Sequence, residues 1–227
     1  QKPLFLQGDS KIHFENINEL SKYDFKAPDE IKELDDALMR LSKQAVLHIS
    51  EIYEFAKIIK YFSYLKKQKF EGRLGEWIAK VEIPEAMSQM ANSFDENGEF
   101  SDSVDERFAA IKQAFSEKKR QIDAELKKLI YSKHITPYLV DTQTHYINSQ
   151  EALLVRGGFN HALKGTVIAR SSGGYFYVAP ASTERLKKEQ SELLDRKEEI
   201  IFEHCKKFSL QMSKSLLFLK FINNAFD

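Results

Sequence analysis

GTVIARSSGGYFYVAP, residues Gly165–Pro180, is a pair of short β-branched and aromatic runs around Ser171-Ser172-Gly173-Gly174. Such runs favour extended backbone, and a Ser/Gly cluster between them reads as a tight turn. The same pattern extends upstream. TQTHYIN (142–148) and EALLV (151–155) are separated by Asn148-Ser149-Gln150, and Gly157-Gly158 follows the second run. Residues 138–181 therefore read as a small β unit.

Outward from this unit the period changes from two to that of a helix. Two long amphipathic stretches flank it, at about 105–134 and 183–226. The first carries the seam Phe108, Ile111, Phe115, Ile122, Leu126, Leu129, and the charged run Lys118-Lys119-Arg120 interrupts it. Steps of three, four and seven are heptad-like, and Pro137 marks a stop. The second carries Leu186, Leu193, Ile200, Ile201, Phe208, Met212, Leu216, Leu219, Ile222 and Phe226, with Ser182 or Thr183 as its cap. A β segment between two such helices predicts an antiparallel helical hairpin with the segment at its far end.

The N-terminal part predicts a helical bundle. Ile12, Phe14, Ile17 and Leu20 form a short strand or a turn feeding a helix. Pro28 opens a helix at 29–43. A second helix spans 49–68 with Ser50 as cap, and short helices follow at 73–80 and 84–93, the latter opened by Pro84. Trp77 is expected in the core. FDENGEFSD holds an Asn-Gly turn signal between Phe94 and Phe100, a short hairpin or extended excursion. The expected fold class is mainly α: a helical core bundle and a long antiparallel helical hairpin carrying a small β-rich tip. The expected division is 1–103 (with the excursion at 94–103), 104–137, 138–181 and 182–227.

Composition limits function. The 227 residues carry 34 basic and 34 acidic side chains, so attraction to polyanions must come from a local patch. One cysteine, Cys205, excludes an internal disulfide and fits a reducing, cytoplasmic setting. No apolar run reaches the ~18 residues of a membrane span, and no signal peptide or membrane partner is expected. The first residue is Gln and both ends are abrupt, so a piece of a longer protein is expected.

Catalytic patterns are sparse. No G-x-x-x-x-G-K-[ST] loop or G-x-S-x-G elbow occurs. Of His13, His48, His134, His145, His161 and His204, only His204 lies beside a cysteine, and adjacent helical residues diverge by about 100°. No catalytic residue, metal site or cofactor is expected in the chain. The β unit differs: residues 151–181 hold Arg156, Lys164 and Arg170 against Glu151 alone. With His161, Ser171 and Ser172, these are the candidate nucleic-acid contacts. Gly and Ser let backbone N–H groups approach phosphates, and Tyr175, Phe176 and Tyr177 offer stacking faces. The competing reading is a coiled-coil interaction module whose β tip binds a protein partner through those aromatics.

Two segments resemble one family. In residues 92–113, Phe94, Asp95, Gly98, Glu99, Phe100, Asp102, Phe108 and Ile111 fall on the pattern I-D-x-x-G-E-[VI]-x-D-x-A-S-x-x-L-x-x-I-R of the bacterial MutS-like proteins of the second type. In Gly165–Pro180, the residues Gly165, Val167, Ser171, Gly173, Tyr177, Val178 and Pro180 fit G-I-V-H-D-x-S-x-S-G-x-T-x-[FY]-[VI]-E-P, with one residue of slack at the serines. Leu153-Leu154-Val155-Arg156 resembles that family's L-P-V-K. The family's His-Asp-Gln is replaced by Ile168-Ala169-Arg170, and its Arg-Asn-Gly-Arg-Tyr turn is absent around His145–Glu151. The resemblance implies a core, lever and clamp region without the ATPase and the C-terminal nuclease-type domain of such proteins. It implies ATP and Mg for that ATPase and a second copy of the parent protein as partner. It implies branched DNA or ribosomal RNA at the clamp, in suppressing recombination or separating collided ribosomes.

Overall fold

The structure is a computed structural model. It describes residues 32–225 except 69 and 149, the backbone alone at 73 and 74, and upstream only residues 14, 17, 18, 21–23, 26 and 30. The readings that rest on Ile12, Leu20, Pro28 and Phe226 lie outside the described residues. The helices are α1 (Asp35–Ser42), α2 (Ile49–Lys67), α3 (Gly72–Lys80), α4 (Glu85–Asn92), α5 (Glu106–Ile130), α6 (Ala181–Lys214) and α7 (Leu216–Asn224). The strands are β1 (His145–Ile147), β2 (Gln150–Val155), β3 (Gly165–Arg170) and β4 (Phe176–Pro180). The chain forms two compact units. One comprises Gln1–Val104 with Ile200–Asp227, the other Asp105–Glu199.

The first unit is helical. α2 buries Ile52, Phe55, Ile58, Ile59 and Phe62, the stripe its periodicity predicts, and meets Met87 and Met90 of α4 and Leu219 and Ile222 of α7 in the buried core. Its cap is His48 rather than Ser50. The His48 imidazole accepts from the helix's first turn, and Glu51 reaches back to the His48 N–H at 2.9 Å, closing a capping box. α1 begins at Asp35, later than the expected 29. The backbone before it is tied to α2 instead: Lys32 N–H donates to Glu54 Oε2, and Lys57 Nζ donates to Glu30 O. Glu54, buried, is paired with Lys57 at 2.7 Å. Ser209 Oγ accepts from the Leu47 N–H at 2.9 Å inside the core.

Trp77 departs from expectation. It is 41% exposed and packs at a tilt against Phe62 and Phe221, at the rim of this core rather than in it. The 94–101 excursion closes as Phe94 bridges Phe100, with Asp95 Oδ1 accepting from the N–H groups of Asn97 and Glu99. At its turn Gly98 has φ +79°, and a Cβ there would sit 2.8 Å from the Tyr53 ring. Gly98→Ala is expected to lower stability by about 1–3 kcal/mol, read by chemical denaturation; an unchanged midpoint contradicts the packing described.

The second unit corrects the expected fold class. The chain is 59% helical and carries a four-stranded antiparallel sheet in the order β1-β2-β4-β3. That sheet does not stand apart from the helices as a separate tip. Ile122, Leu126 and Ile130 of α5 form one core with Leu139, Leu153, Val155, Leu163 and Val178, and Leu186 of α6 packs on it. The C-terminal part of the apolar seam, Ile122, Leu126 and Leu129, is thus used on the sheet. Nor is the second long helix continuous to 226. It begins at Ala181, where Thr183 is buried and donates back to Pro180 O, and it breaks at Ser215 before α7. An antiparallel sheet with helices on it is an α+β arrangement. α5 and α6 are tied within this unit by Lys118 and Glu189 at 2.5 Å. Lys118, and secondarily Arg185, holds the Glu189 carboxyl below its usual range.

Candidate functional site at one end of the sheet

The register fixes which basic residues meet. Val155 and Arg170 both pair with Phe176, so β2, β4 and β3 end together there. Arg156 follows Val155 directly. Its N–H donates to Tyr138 O and its Nε to Leu139 O at 3.1 Å, which anchors the side chain beside the sheet. Arg170 lies two strands away, roughly 10 Å across the sheet at the usual strand spacing. Its guanidinium sits 5.2 Å from the Phe176 ring centre, a cation–π contact. A bulge makes that contact. The register shifts between Val167 and Ala169, so Ala169 pairs with Tyr177 and Arg170 with Phe176. Without the extra residue, Ile168 would face Tyr177 and Ala169 would face Phe176. Bulges re-aim side chains in this way.

The two turns at this end lie against each other. A Cβ on Gly157 would come 3.1 Å from Gly174 O. The Ser171–Tyr175 turn is closed by Ser171 N–H to Tyr175 O, Gly174 N–H to Ser171 O, and Tyr175 N–H to Ser171 Oγ. Gly174 has φ +79°, the left-handed region that glycine adopts without strain. Among the described residues, the N–H groups of Ser172 and Gly173 donate to no protein acceptor, and neither Arg156 nor Arg170 is paired with a carboxylate. Both arginines are exposed, as is Ser172, while Ser171 is half-buried. Cations and unused N–H groups on a Gly/Ser turn form a surface suited to phosphate oxygens.

The remaining candidates are placed elsewhere. Lys164 precedes β3 at the opposite end, where its carbonyl accepts from Ala181 N–H. Arg170 stands six residues further along the chain, roughly 20 Å away. His161 is exposed in the β2–β3 connection. The aromatic run does not present three faces. Phe176 packs on the unit's core, and Tyr177 lies edge-on to His145, 5.3 Å between ring centres, leaving Tyr175 exposed. Alternation along a strand sends neighbours to opposite faces. The sequence reading passed over Phe159, 44% exposed and tilted against Tyr138 with ring centres 5.1 Å apart. Its signal was the preceding Gly157-Gly158 pair, which forces a turn and carries the next side chain outward.

Other reactive groups have structural surroundings. His145 Nε2 is 3.0 Å from Asp141 Oδ2. Cys205 is 3% exposed, and burial pushes its thiol up to about 11. Below its ordinary value of 9.0 the thiol is protonated in both folded and unfolded chains, so it does not make stability pH-dependent there. Between 9.0 and about 11 only the unfolded thiol ionises, so stability falls as pH rises. Labelling by a thiol reagent at pH 8 is therefore expected to be slow in the native protein and fast after unfolding; fast native labelling contradicts this burial. The Gly-Gly pairs lie in sheet turns without a following Lys-Ser or Lys-Thr, so these residues do not fit an ATP phosphate site. Among the described residues, no group of three or more His, Cys, Asp or Glu is placed to hold a metal ion, and no helix is long and apolar enough to cross a membrane.

No protein-family model matches the chain. It is 31% identical over 229 residues to the "Endonuclease MutS2" of Helicobacter pylori strain J99, covering 98% of this chain and 30% of that protein. The protein of the same name from strain 26695 matches at 31% over the same length. The chain spans 30% of the length of these curated relatives. It is a MutS2-related protein.

Proposed function

We propose that this MutS2-related chain is a nucleic-acid-binding segment whose contacts lie at the sheet end carrying Arg156, Arg170 and the Ser171–Gly174 turn. The observation that carries the reading is the convergence there of two guanidinium groups without a carboxylate partner among the described residues and two unused turn N–H groups, in a chain of zero net charge. The ligand is a sugar-phosphate backbone, in branched DNA or ribosomal RNA. The arginines hold phosphate oxygens by charge-assisted hydrogen bonds, and the turn N–H groups approach closely because glycine leaves no side chain in the way.

The chain performs no bond-making step in this reading. The relatives' name carries an endonuclease activity. That activity, and ATP hydrolysis with its Mg ion, would belong to other parts of a full-length protein and act through this segment in suppressing recombination or acting on collided ribosomes. A second copy would add a second contact, raising affinity through effective concentration rather than through new interactions.

Titrating branched DNA and ribosomes against the full-length protein, wild type and Arg156→Glu/Lys164→Glu/Arg170→Glu, tests the reading. Binding is expected to weaken in the variant. Equal affinity would overturn it. Salt-independent binding to a protein, with no nucleic-acid affinity, would instead establish the protein-partner alternative, for which exposed Tyr175 is the supporting feature.

A further inference from the structure

We infer that the same sheet end recognises unpaired bases, so that the preferred ligand is single-stranded nucleic acid rather than continuous duplex. The inference rests on the nucleic-acid reading above and adds the ligand's class.

Two rings carry it. Phe159 is 44% exposed and Tyr175 is 39% exposed. They belong to the two turns that touch through Gly157 and Gly174, so both stand at the end where Arg156 and Arg170 lie. Each ring is supported from within the unit. Phe159 leans on Tyr138 with centres 5.1 Å apart, and Tyr175 runs beside Gly173, where a Cβ would be 3.2 Å from its ring. A backed ring with an open side is a stacking platform. Single exposed aromatics are ordinary on protein surfaces; two of them beside two guanidinium groups and unused turn N–H groups are not.

Duplex DNA cannot use this combination fully. Its bases are stacked on one another, so a convex turn meets only phosphates and groove edges. An unpaired strand presents phosphates and free base faces together. Aromatic stacking then adds to phosphate contact without regard to base identity. Junctions and looped regions expose such nucleotides. The site should therefore discriminate by strandedness and only weakly by sequence.

The test compares a single-stranded oligothymidylate with a blunt duplex of equal length, using the full-length protein. Wild type is expected to prefer the single strand. Phe159→Leu/Tyr175→Leu is expected to lose roughly ten-fold or more of single-strand affinity while duplex affinity stays as it was. Phe159→Tyr/Tyr175→Phe keeps both rings and should keep the affinity, which separates loss of stacking from loss of folding. A duplex preference in wild type, an equal loss on both probes, or a loss in the ring-retaining variant would overturn the inference. If the leucine variant binds like wild type while Arg156→Glu/Arg170→Glu loses both probes, base stacking fails and phosphate binding stands. If wild type binds neither probe but binds branched DNA or ribosomes, the single-strand inference fails and the nucleic-acid reading stands; if it binds none of them, both fail.

Discussion

Leu126→Ala lowers the stability of the sheet-bearing unit by about 2–5 kcal/mol, the range for truncating a buried leucine. Leu126 is fully buried, among Ile122, Leu153, Val155 and Val178. Removing its side chain forfeits the transfer energy of the missing carbons and leaves a cavity between α5 and the sheet. Strands and helix cannot both close on that cavity, because each is held by its own hydrogen-bond ladder. The distribution of the loss is as informative as its size. Because the helix and sheet share one core, amide-exchange protection should fall together in α5 and in β2 and β4. Loss confined to the strands, with α5 still protected, would mean that the sheet folds as a separate appendage. Denaturation combined with residue-resolved hydrogen exchange reads both quantities.

Arg156→Glu/Arg170→Glu is expected to weaken nucleic-acid binding about a hundred-fold at moderate ionic strength. A hydrogen bond to a charged group contributes about 1.5 kcal/mol or more, and about 1.4 kcal/mol is ten-fold. Reversing the charge adds repulsion to that loss. Both side chains are exposed and neither is in a carboxylate pair among the described residues, so folding should be retained. The substitution does remove the cation–π interaction of Arg170 with Phe176 and the hydrogen bond from Arg156 Nε to Leu139 O, and a thermal melt of the variant controls for both. Lys164→Glu provides the contrast. It lies at the other end of β3, near Ala181, and should leave affinity nearly unchanged. An equal loss from Lys164→Glu would spread the binding surface over the whole unit and contradict the placement at one end.

Much of the local structure could be read from the chain. The stripe Ile52, Phe55, Ile59, Phe62 has one strong period, and α2 runs from Ile49 to Lys67 as that period requires. The Ser-Ser-Gly-Gly turn and the runs beside it gave β3 and β4, because left-handed backbone at Gly174 needs glycine and β-branched residues resist helix. What failed was assigning the partner of an apolar seam. Ile122 and Leu126 sit at heptad spacing, which is equally satisfied by a second helix and by a sheet face, and periodicity alone does not distinguish them. The break at Ser215 was hidden for a related reason. Apolar residues continue in step on both sides of it, so the seam reads through.

The candidate site divides in the same way. Its chemistry was visible as a local excess of Arg and Lys over Glu. Its geometry was not, since Arg156, Lys164 and Arg170 look equivalent until register places two at one end and the third at the other. The bulge at Ile168 sets that register for Arg170, and a one-residue slip has no composition signature. The capping box of His48 and Glu51 was missed because histidine seldom caps, so Ser50 drew the assignment. Phe159 was missed because a lone aromatic after Gly-Gly carries no period.

The salt dependence of binding tests the central claim most directly. Each phosphate neutralised by the protein releases counterions, so the plot of log affinity against log salt steepens by about 0.9 for every duplex phosphate engaged. If Arg156 and Arg170 each hold a phosphate, the slope measured for the full-length Arg156→Glu/Arg170→Glu variant on duplex should be shallower than wild type by about 1.8. A slope identical to that of wild type would show that neither guanidinium meets a phosphate, and the nucleic-acid site would have to lie elsewhere.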